Sequence, residues 1–540
     1  MGFRKGDKIA SVSSNRPEWN FIDMGMSMAG VVHVPLYTSL TPEEYENILR
    51  HSEARMLIIS DQILVKKLKP IAEKIENIEG VYTFDTIEGE KHWGEITALG
   101  ATQPESVHKE LEKIKAGIVP DDFATLIYTS GTTGNAKGVM LSHRNLVQNF
   151  LAAVDVFALN PDEKYMNILP LCHVGGRMGN YQTQYSGCTI YYPENMGTIA
   201  ADMKEVQPHG FDAVPRILEK IFDTIVAKGK KLKGFKKRIF FWAVNLGLRY
   251  RIPEESSFLY KIQLRIADKL IFSKWREAIG GNARLVGCGG AALQPRVERV
   301  FWAAGIKILN MYGLTETSPI ITINRKTKPD LKLATVGALI PGVEVKIAED
   351  GEILCQGHNV MIGYYKNPEL TKEVFTDDGW FKTGDIGSLE EGKFLVITDR
   401  KKEIFKLSSG KFIAPQIIEN KLKESLFIEQ VIVIGEHEKF ASALIAPDFP
   451  YIREWCTYKN IPAGSNSDLV TDKQLQDAIA REVERYNAAA AEFEQIKRFR
   501  IVADSWSPES GELSPTLKLK RNIVTSRYQG LISQIYSKTN

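Results

Sequence analysis

Tyr128-Thr129-Ser130-Gly131-Thr132-Thr133-Gly134-Asn135-Ala136-Lys137-Gly138 is the stretch that decides how the rest of this chain is read. It follows the apolar run Phe123 to Ile127, which reads as a strand, and leads into a segment that reads as helical from about Ser142. Three glycines, four Ser/Thr hydroxyls and one lysine in so short a span suit a loop that wraps an oligophosphate. Glycines allow tight turns and close backbone approach, hydroxyls and N–H groups donate to phosphate oxygens, and Lys137 supplies charge. The P-loop pattern G-x-x-x-x-G-K-[ST] does not fit, because Gly131 is followed at the matching places by Ala136, Lys137 and Gly138. A bare Gly/Thr linker is the bland alternative, and the lysine and the preceding strand argue against it.

Outward from this loop, the N-terminal part alternates strand-like and helix-like patterns. Lys8 to Ser13 and Arg55 to Ser60 read as strands, and Phe21 to Val32 as a helix. Thr41-Pro42-Glu43-Glu44 reads as a helix start, with Thr41 as cap, Pro42 in the first turn and Glu44 closing a capping box. This βαβ rhythm predicts an α/β domain with mostly parallel sheets. Short β-like runs separated by glycine turns fill Gly337 to Glu390, and a break in organisation falls at Asp399-Arg400-Lys401-Lys402. Beyond it lies a smaller region with a helix near Pro415 to Lys423, strands at Gln430 to Gly435 and Ala441 to Ala446, and then long helices.

The whole chain has 540 residues, 44% hydrophobic and 25% charged, enough for two or more domains with ample cores. Its 69 basic and 66 acidic residues leave a formal charge of +3, which gives no electrostatic case for nucleic acid. Five scattered cysteines without a C-x-x-C pair predict reduced thiols and a cytoplasmic setting. No signal peptide is read at the start, and the charge-free apolar stretch Ile239 to Leu248 is too short to span a bilayer. Residues 228–275 are helical in pattern, basic and aromatic. They read as a solvated face or, more sharply, as a surface that meets anionic lipid at the inner membrane face or nucleotide phosphates.

The loop at 128–138 resembles the signature of the adenylate-forming (AMP-binding) superfamily, which includes acyl-CoA synthetases, firefly-type luciferases and peptide-synthetase adenylation domains. Further segments resemble that family's motifs in the same order. Val214 to Lys220 looks like the segment after the acyl-tunnel strand of long-chain members, and Gly287 to Ala292, with Gly290 and Ala291, like the strand end under the adenine. In Asn310-Met311-Tyr312-Gly313-Leu314-Thr315-Glu316 the resemblance has Tyr312 stack on adenine, Thr315 contact the adenylate, and Glu316 hold Mg²⁺ with Thr129 as second contact. One carboxylate plus nucleotide phosphates is ordinary magnesium chemistry. Asp385, in Gly379 to Asp385, resembles the ribose anchor, and Arg400 the second ribose contact. Lys401 to Lys406 look like the interdomain hinge, with Lys402 at the pivot, and Gly410 like the border of the pantetheine channel. The catalytic lysine falls at Lys518, in preference to Lys520, and His173 resembles the histidine beside the acyl and thiol sites.

The fold this implies is a large N-terminal domain, 1–400, of βαβ-built sheets with a β-barrel-like subdomain, followed by a small mobile α+β C-terminal domain, 401–540. The first strand begins almost at once, so the start is expected to be short by family standards. The implied reaction joins a fatty acid to coenzyme A through an acyl-adenylate, using ATP and Mg²⁺. A carrier protein as acceptor, or a catalytically dead nucleotide-binding regulator, are the alternatives. The wording of Val214 to Lys220 and Leu513 to Arg521 looks most like long-chain fatty acyl-CoA synthetases, but Gly175-Gly176 stand where many of these carry an aromatic residue and a glutamate. Chain-length preference and oligomeric state are not read from the sequence.

Overall fold

The computed structural model describes residues 1–129, 136–195, 197–459, 461–508, 510–514 and 517–537. It divides into two compact units, Met1–Lys346 with Leu354–Lys382, and Ile347–Ile353 with Thr383–Asn540.

The first unit holds an 8-stranded sheet in the order Gly363–Tyr364, Lys137–Ser142, Phe123–Thr129, Val32–Leu36, Lys8–Val12, Met56–Ile59, Gly80–Thr83 and Lys91–His92. From Phe123–Thr129 to Lys91–His92 neighbouring strands run parallel, whereas Lys137–Ser142 is antiparallel to the strands on both sides of it. Val32–Leu36 and Met56–Ile59 are buried throughout, as strands covered on both faces must be. Between them the expected capping box is present: Thr41 accepts the Glu44 N–H and Glu44 accepts the Thr41 N–H, with Pro42 opening the helix Pro42–Ser52.

A second sheet of the same unit runs in the order Ala338–Leu339, Ile320–Ile323, Lys307–Gly313, Leu285–Cys288, Gly210–Ala213, Lys164–Met166 and Thr189–Tyr191. Its parallel part ends at Lys307–Gly313, after which the chain turns back antiparallel. The largest apolar cluster lies under this sheet and joins it to the helices Pro215–Lys230, Gly234–Leu248 and Pro295–Ala303.

One sequence expectation is corrected. The helix expected at Phe21 to Val32 spans Pro17–Met28, and Val32 opens the next strand. Pro17 sets the start, and the positive φ of Gly30 turns the chain out after the helix end. The helix expected from about Ser142 is present as His143–Phe157, capped by Ser142, and the strand Lys137–Ser142, which the sequence reading did not name, precedes it. The alternation of Val139, Met140 and Leu141 between buried and half-buried positions is a strand period that the cap signal at Ser142 masks.

The second unit contains the hairpin arm formed by Thr383–Glu390 and Phe394–Arg400, and a 3-stranded sheet of Ile428–Ile434, Ser442–Pro447 and Arg498–Ile501. Helices Pro415–Leu422 and Lys473–Asn487 pack on that sheet's apolar side. All five cysteines are buried: Cys172, Cys188, Cys288 and Cys355 in the first unit, Cys456 in the second. Among the described residues, no helix is long and apolar enough to cross a membrane.

Candidate active site

Ser130, Gly131, Thr132, Thr133 and Gly134 lie outside the described residues; the stem of their loop does not. Thr129 and Lys137 face each other as register partners at the open end of the hairpin, and Tyr128 pairs with Gly138 below them. A Cβ on Gly138 would come within 2.9 Å of Leu126 Cδ1 and 3.3 Å of the Tyr128 ring, so a larger residue there would have to displace the Leu126 side chain. His51 Nδ1 sits 2.7 Å from the Tyr128 hydroxyl and braces the stem from the side.

Lys137 and Glu316 are linked through a residue the sequence reading passed over. The Lys137 ammonium lies over the Tyr364 ring, 5.3 Å from its centroid, and the Tyr364 hydroxyl donates to Glu316 Oε1 at 2.8 Å. Burial, and then the neighbouring Glu316 charge, push the Tyr364 phenol well above its ordinary range, so it remains a donor at any physiological pH. Tyr364 reaches this place because Gly363–Tyr364 pairs antiparallel with Met140 and Val139. The backbone of Glu316 is held as well, its carbonyl accepting the Met361 N–H at 2.9 Å.

Thr315 and Glu316 form a short 3₁₀ turn, Thr315–Thr317, just beyond the strand Lys307–Gly313. A side chain at Gly313 would collide with the Pro319 carbonyl, which explains glycine between Tyr312 and Leu314. Thr317 Oγ1 accepts the Leu314 N–H at 2.9 Å and closes the turn. Two asparagines on the buried face of the helix His143–Phe157 fix the surroundings. Asn149 exchanges hydrogen bonds with the Ile320 backbone, and Asn145 donates to the carbonyls of His358 and Val360 at 2.7 and 2.9 Å. Polar side chains four residues apart on a buried helix face were the available signal for these two.

The expected adenine platform is contiguous. Cys288 pairs with Asn310, so Gly289, Gly290 and Ala291 leave their strand beside Met311 and Tyr312. Gly290 has a φ of +84° and turns the chain away there. Asn310 donates to the Thr335 carbonyl at 3.1 Å, while its own amide oxygen is buried with no hydrogen-bond partner among the described residues. An orphaned acceptor beside Tyr312 suits a ligand bearing N–H donors, such as an adenine amino group.

Glu316 also suits a magnesium ion shared with phosphates. Among the described residues there is no cluster of three or more His, Cys, Asp or Glu, and a single carboxylate fits an ion that takes its other oxygens from a nucleotide and water.

His173 caps the helix Val174–Tyr185, and its Nδ1 accepts the Gly175 N–H at 3.0 Å. That bond requires Nδ1 to be unprotonated, which places the ring proton of the neutral imidazole on Nε2. Gly176 has a structural reason: a Cβ there would strike the Pro170 carbonyl and lie 2.9 Å from that of Leu169. Asn15 holds the same turn, donating to Leu169 O at 2.7 Å and accepting from Leu171 N at 2.9 Å. Just beyond, Arg177 is wholly buried and ion-paired with Asp23, while also donating to Tyr181 and Thr125. Burial alone would raise the Asp23 carboxyl, but the Arg177 charge and the His33 hydrogen bond hold it below its ordinary value.

The remaining expected residues belong to the second unit. Asp385 is buried, pairs with Arg400 in register, and lies 3.5 Å from the Arg400 Nε. Lys401, next to the expected pivot, is tied to Asp350 at 2.6 Å and Glu352 at 2.7 Å, whereas Lys402 is exposed. Lys406 lies over the Phe412 ring, and Gly410 turns the chain with a φ of +86°. Lys518 is bonded to Ser514 twice: its N–H donates to Ser514 Oγ at 3.0 Å and its carbonyl accepts the Ser514 N–H at 2.7 Å. Three residues on, Arg521 is paired with the buried Glu419 at 2.5 Å.

The model of the AMP-binding enzyme family matches residues 1–365, and that of the AMP-binding enzyme C-terminal domain matches 402–540. The chain belongs to the AMP-binding enzyme family. The enzyme is 34% identical over 550 residues to the long-chain-fatty-acid–CoA ligase FadD15 of Mycobacterium bovis, covering 100% of this chain and 89% of the relative. It is 30% identical over 565 residues to the peroxisomal long chain acyl-CoA synthetase 7 of Arabidopsis thaliana, covering 99% and 79%. In fold it is similar to the adenylation domain of a carboxylate reductase from Mycobacterium chelonae, with a TM-score of 0.76 at 22% identity, covering 99% of this chain and 81% of that one. The AMP-bound A domain from Segniliparus rugosus gives 0.74 at 22% identity, covering 99% and 83%. The shared fold is a large α/β domain of mixed sheets with a smaller C-terminal domain.

Proposed function

We propose that this AMP-binding enzyme is a long-chain-fatty-acid–CoA ligase, which activates a fatty acid with ATP and transfers the acyl group to coenzyme A. The observation that carries the nucleotide chemistry is the Lys137–Tyr364–Glu316 linkage, which joins the phosphate-loop stem to a lone, well-oriented carboxylate. The acid and the acceptor are inferred from the names of full-length relatives at 30–34% identity.

In the first half-reaction the fatty acid carboxylate attacks the α-phosphorus of ATP, giving acyl-adenylate and pyrophosphate. Lys137 and the donors of Thr129 to Gly134 bind the phosphates, and Tyr312 with Gly290, Ala291, Asn310, Met311 and Gly313 forms the base site. Thr315 contacts the adenylate, and Asp385 with Arg400 receives the ribose. Glu316 and Thr129 hold Mg²⁺, which when bound offsets the phosphate charge. Lys518 aligns the two anions, holding the carboxylate against the α-phosphate. In the second half-reaction the coenzyme A thiol attacks the acyl carbonyl and AMP departs. Gly410 borders the thiol's path, His173 stands beside the acyl carbonyl, and Lys402 and Lys406 belong to the hinge of a domain boundary at 400/401. The setting is cytoplasmic, with residues 228–275 as the part that meets a membrane.

Fatty-acid-dependent pyrophosphate exchange, followed by a coenzyme A consumption assay, tests this. Exchange with long-chain acids and stoichiometric thioester is expected. Exchange without thioester would point to a carrier protein as acceptor, and no exchange with any acid would reject the ligase.

A further inference from the structure

Phe258–Ala267 continues through a π-turn, Asp268–Phe272, into Ser273–Ala278, making one long helical element on the first unit. One face of it is core: Ala267 is buried, Leu264 and Ile271 pack against the main apolar cluster, and the Tyr260 hydroxyl donates to Leu246 O at 3.0 Å. The opposite face is apolar too, yet uncovered. Phe258 and Leu259 are 77% and 72% exposed, and Ile262, Ile266 and Leu270 continue the stripe at four-residue spacing. A row of Lys261, Arg265 and Lys269, with the same spacing and also exposed, runs beside it. Phe258–Ala267 contains no acidic residue, and Asp268 is neutralised by Arg276 at 2.6 Å.

A helix that needs only one apolar face for its core, and exposes a second, pays in solubility unless that face has an occupant. The charge pattern selects it. A second copy would set one basic row against another, whereas an anionic bilayer accepts the row at its headgroups and the apolar stripe just beneath them. We propose that the outer face of Phe258–Phe272 docks the enzyme on anionic lipid bilayers, lying in the plane of the interface. The inference rests on the ligase reading for its purpose: a fatty acid partitions into bilayers, and docking brings the enzyme to its substrate.

The test is co-sedimentation of the full chain with phosphatidylglycerol/phosphatidylcholine vesicles and with phosphatidylcholine alone. Binding to the anionic vesicles that weakens with salt is expected. Each basic group near such a surface contributes about fivefold in partitioning, so K261E/R265E should lower it by at least about tenfold, and L259S/I262S should lower it comparably. Both variants should keep pyrophosphate exchange with a short soluble acid, which shows that they are folded. A wild type that ignores anionic vesicles, or variants that sediment as the wild type does, would overturn the proposal. So would a wild-type dimer in sedimentation velocity that both variants convert to monomer. Vesicle binding without any pyrophosphate exchange would overturn the ligase reading and leave the lipid surface standing.

Discussion

Tyr364 is the residue on which the site's electrostatics turn, because it touches both a cation and an anion that face the nucleotide in the proposed reaction. Removing its hydroxyl takes the Tyr364 donor away from Glu316 while keeping the ring under Lys137. Groups that orient a metal-binding carboxylate typically change metal affinity by about 10–100-fold. Tyr364→Phe is therefore expected to raise the Mg²⁺ concentration for half-maximal pyrophosphate exchange by about tenfold, and an unchanged magnesium titration would show that the bond is only structural. Lys137 stood out through the composition of its own loop, and Glu316 only through the family resemblance of residues 310–316. Tyr364 stood out in neither way, since its role comes from a strand pairing between Gly363–Tyr364 and residues 139–140 that no local pattern announces.

Asp212 carries a prediction of the same scale. It is buried, accepts the Tyr165 hydroxyl at 2.7 Å with one oxygen, and leaves the other without a partner among the described residues. Burial raises its carboxyl to about 7, only partly opposed by that hydrogen bond. In the unfolded chain the value is ~3.9, so between there and 7 the folded state keeps a proton that the unfolded state releases. The stabilisation is complete below ~3.9 and is lost as pH rises through 7. Asp212→Asn should shrink the difference in urea midpoint between pH 5 and pH 7.5, provided the variant folds at both. An undiminished difference would assign the slope to other groups.

At the scale of elements, the helix Val174–Tyr185 joins His173 to the core. Its first turn packs on the Leu169–Pro170 carbonyls through Gly176, and its second is fastened by Arg177 to Asp23, a residue of the helix Pro17–Met28. Arg177→Met would leave Asp23 ionised or protonated at a cost either way, and breaking a buried pair from one side costs about 3–5 kcal/mol. Equilibrium denaturation should show a loss of that size; a loss under about 1 kcal/mol would mean that His33 and Tyr181 suffice for Asp23. The sequence showed Gly175-Gly176 only as a departure from the long-chain pattern, because close approach to a carbonyl is a property of packing. Capping was the opposite case: Thr41 and Glu44 were readable because both partners lie within one turn. The strand Lys137–Ser142 was missed for a related reason, its period being short and the cap at Ser142 strong.

At the scale of the molecule, the chain assigns its proposed chemistry to two compact units. Lys137, Glu316 and His173 belong to one, Asp385 and Lys518 to the other. If Lys518 serves only the first half-reaction, Lys518→Ala should lower acyl-adenylate formation by at least about a hundredfold. Thioester formation from supplied acyl-adenylate and coenzyme A should be spared. Equal loss of both steps would reject the assignment. In the sequence, the change of pattern at Asp399 to Lys402 was the ground for expecting a break near residue 400. The sequence did not show that residues 347–353 and the hairpin arm from Thr383 associate with the C-terminal part, because that association is made by pairing across the chain.

The placement of the sulfur atoms gives each unit its own reporter. Every thiol is shielded in the native state, with Cys456 alone in the second unit and four in the first. Alkylating reagent added to native enzyme can reach a thiol only when the surrounding structure opens, so the rate of modification measures that opening. Mass spectrometry of the labelled peptides then times the two units separately within one unmodified polypeptide, and nucleotide added to the same sample would show which of them it slows.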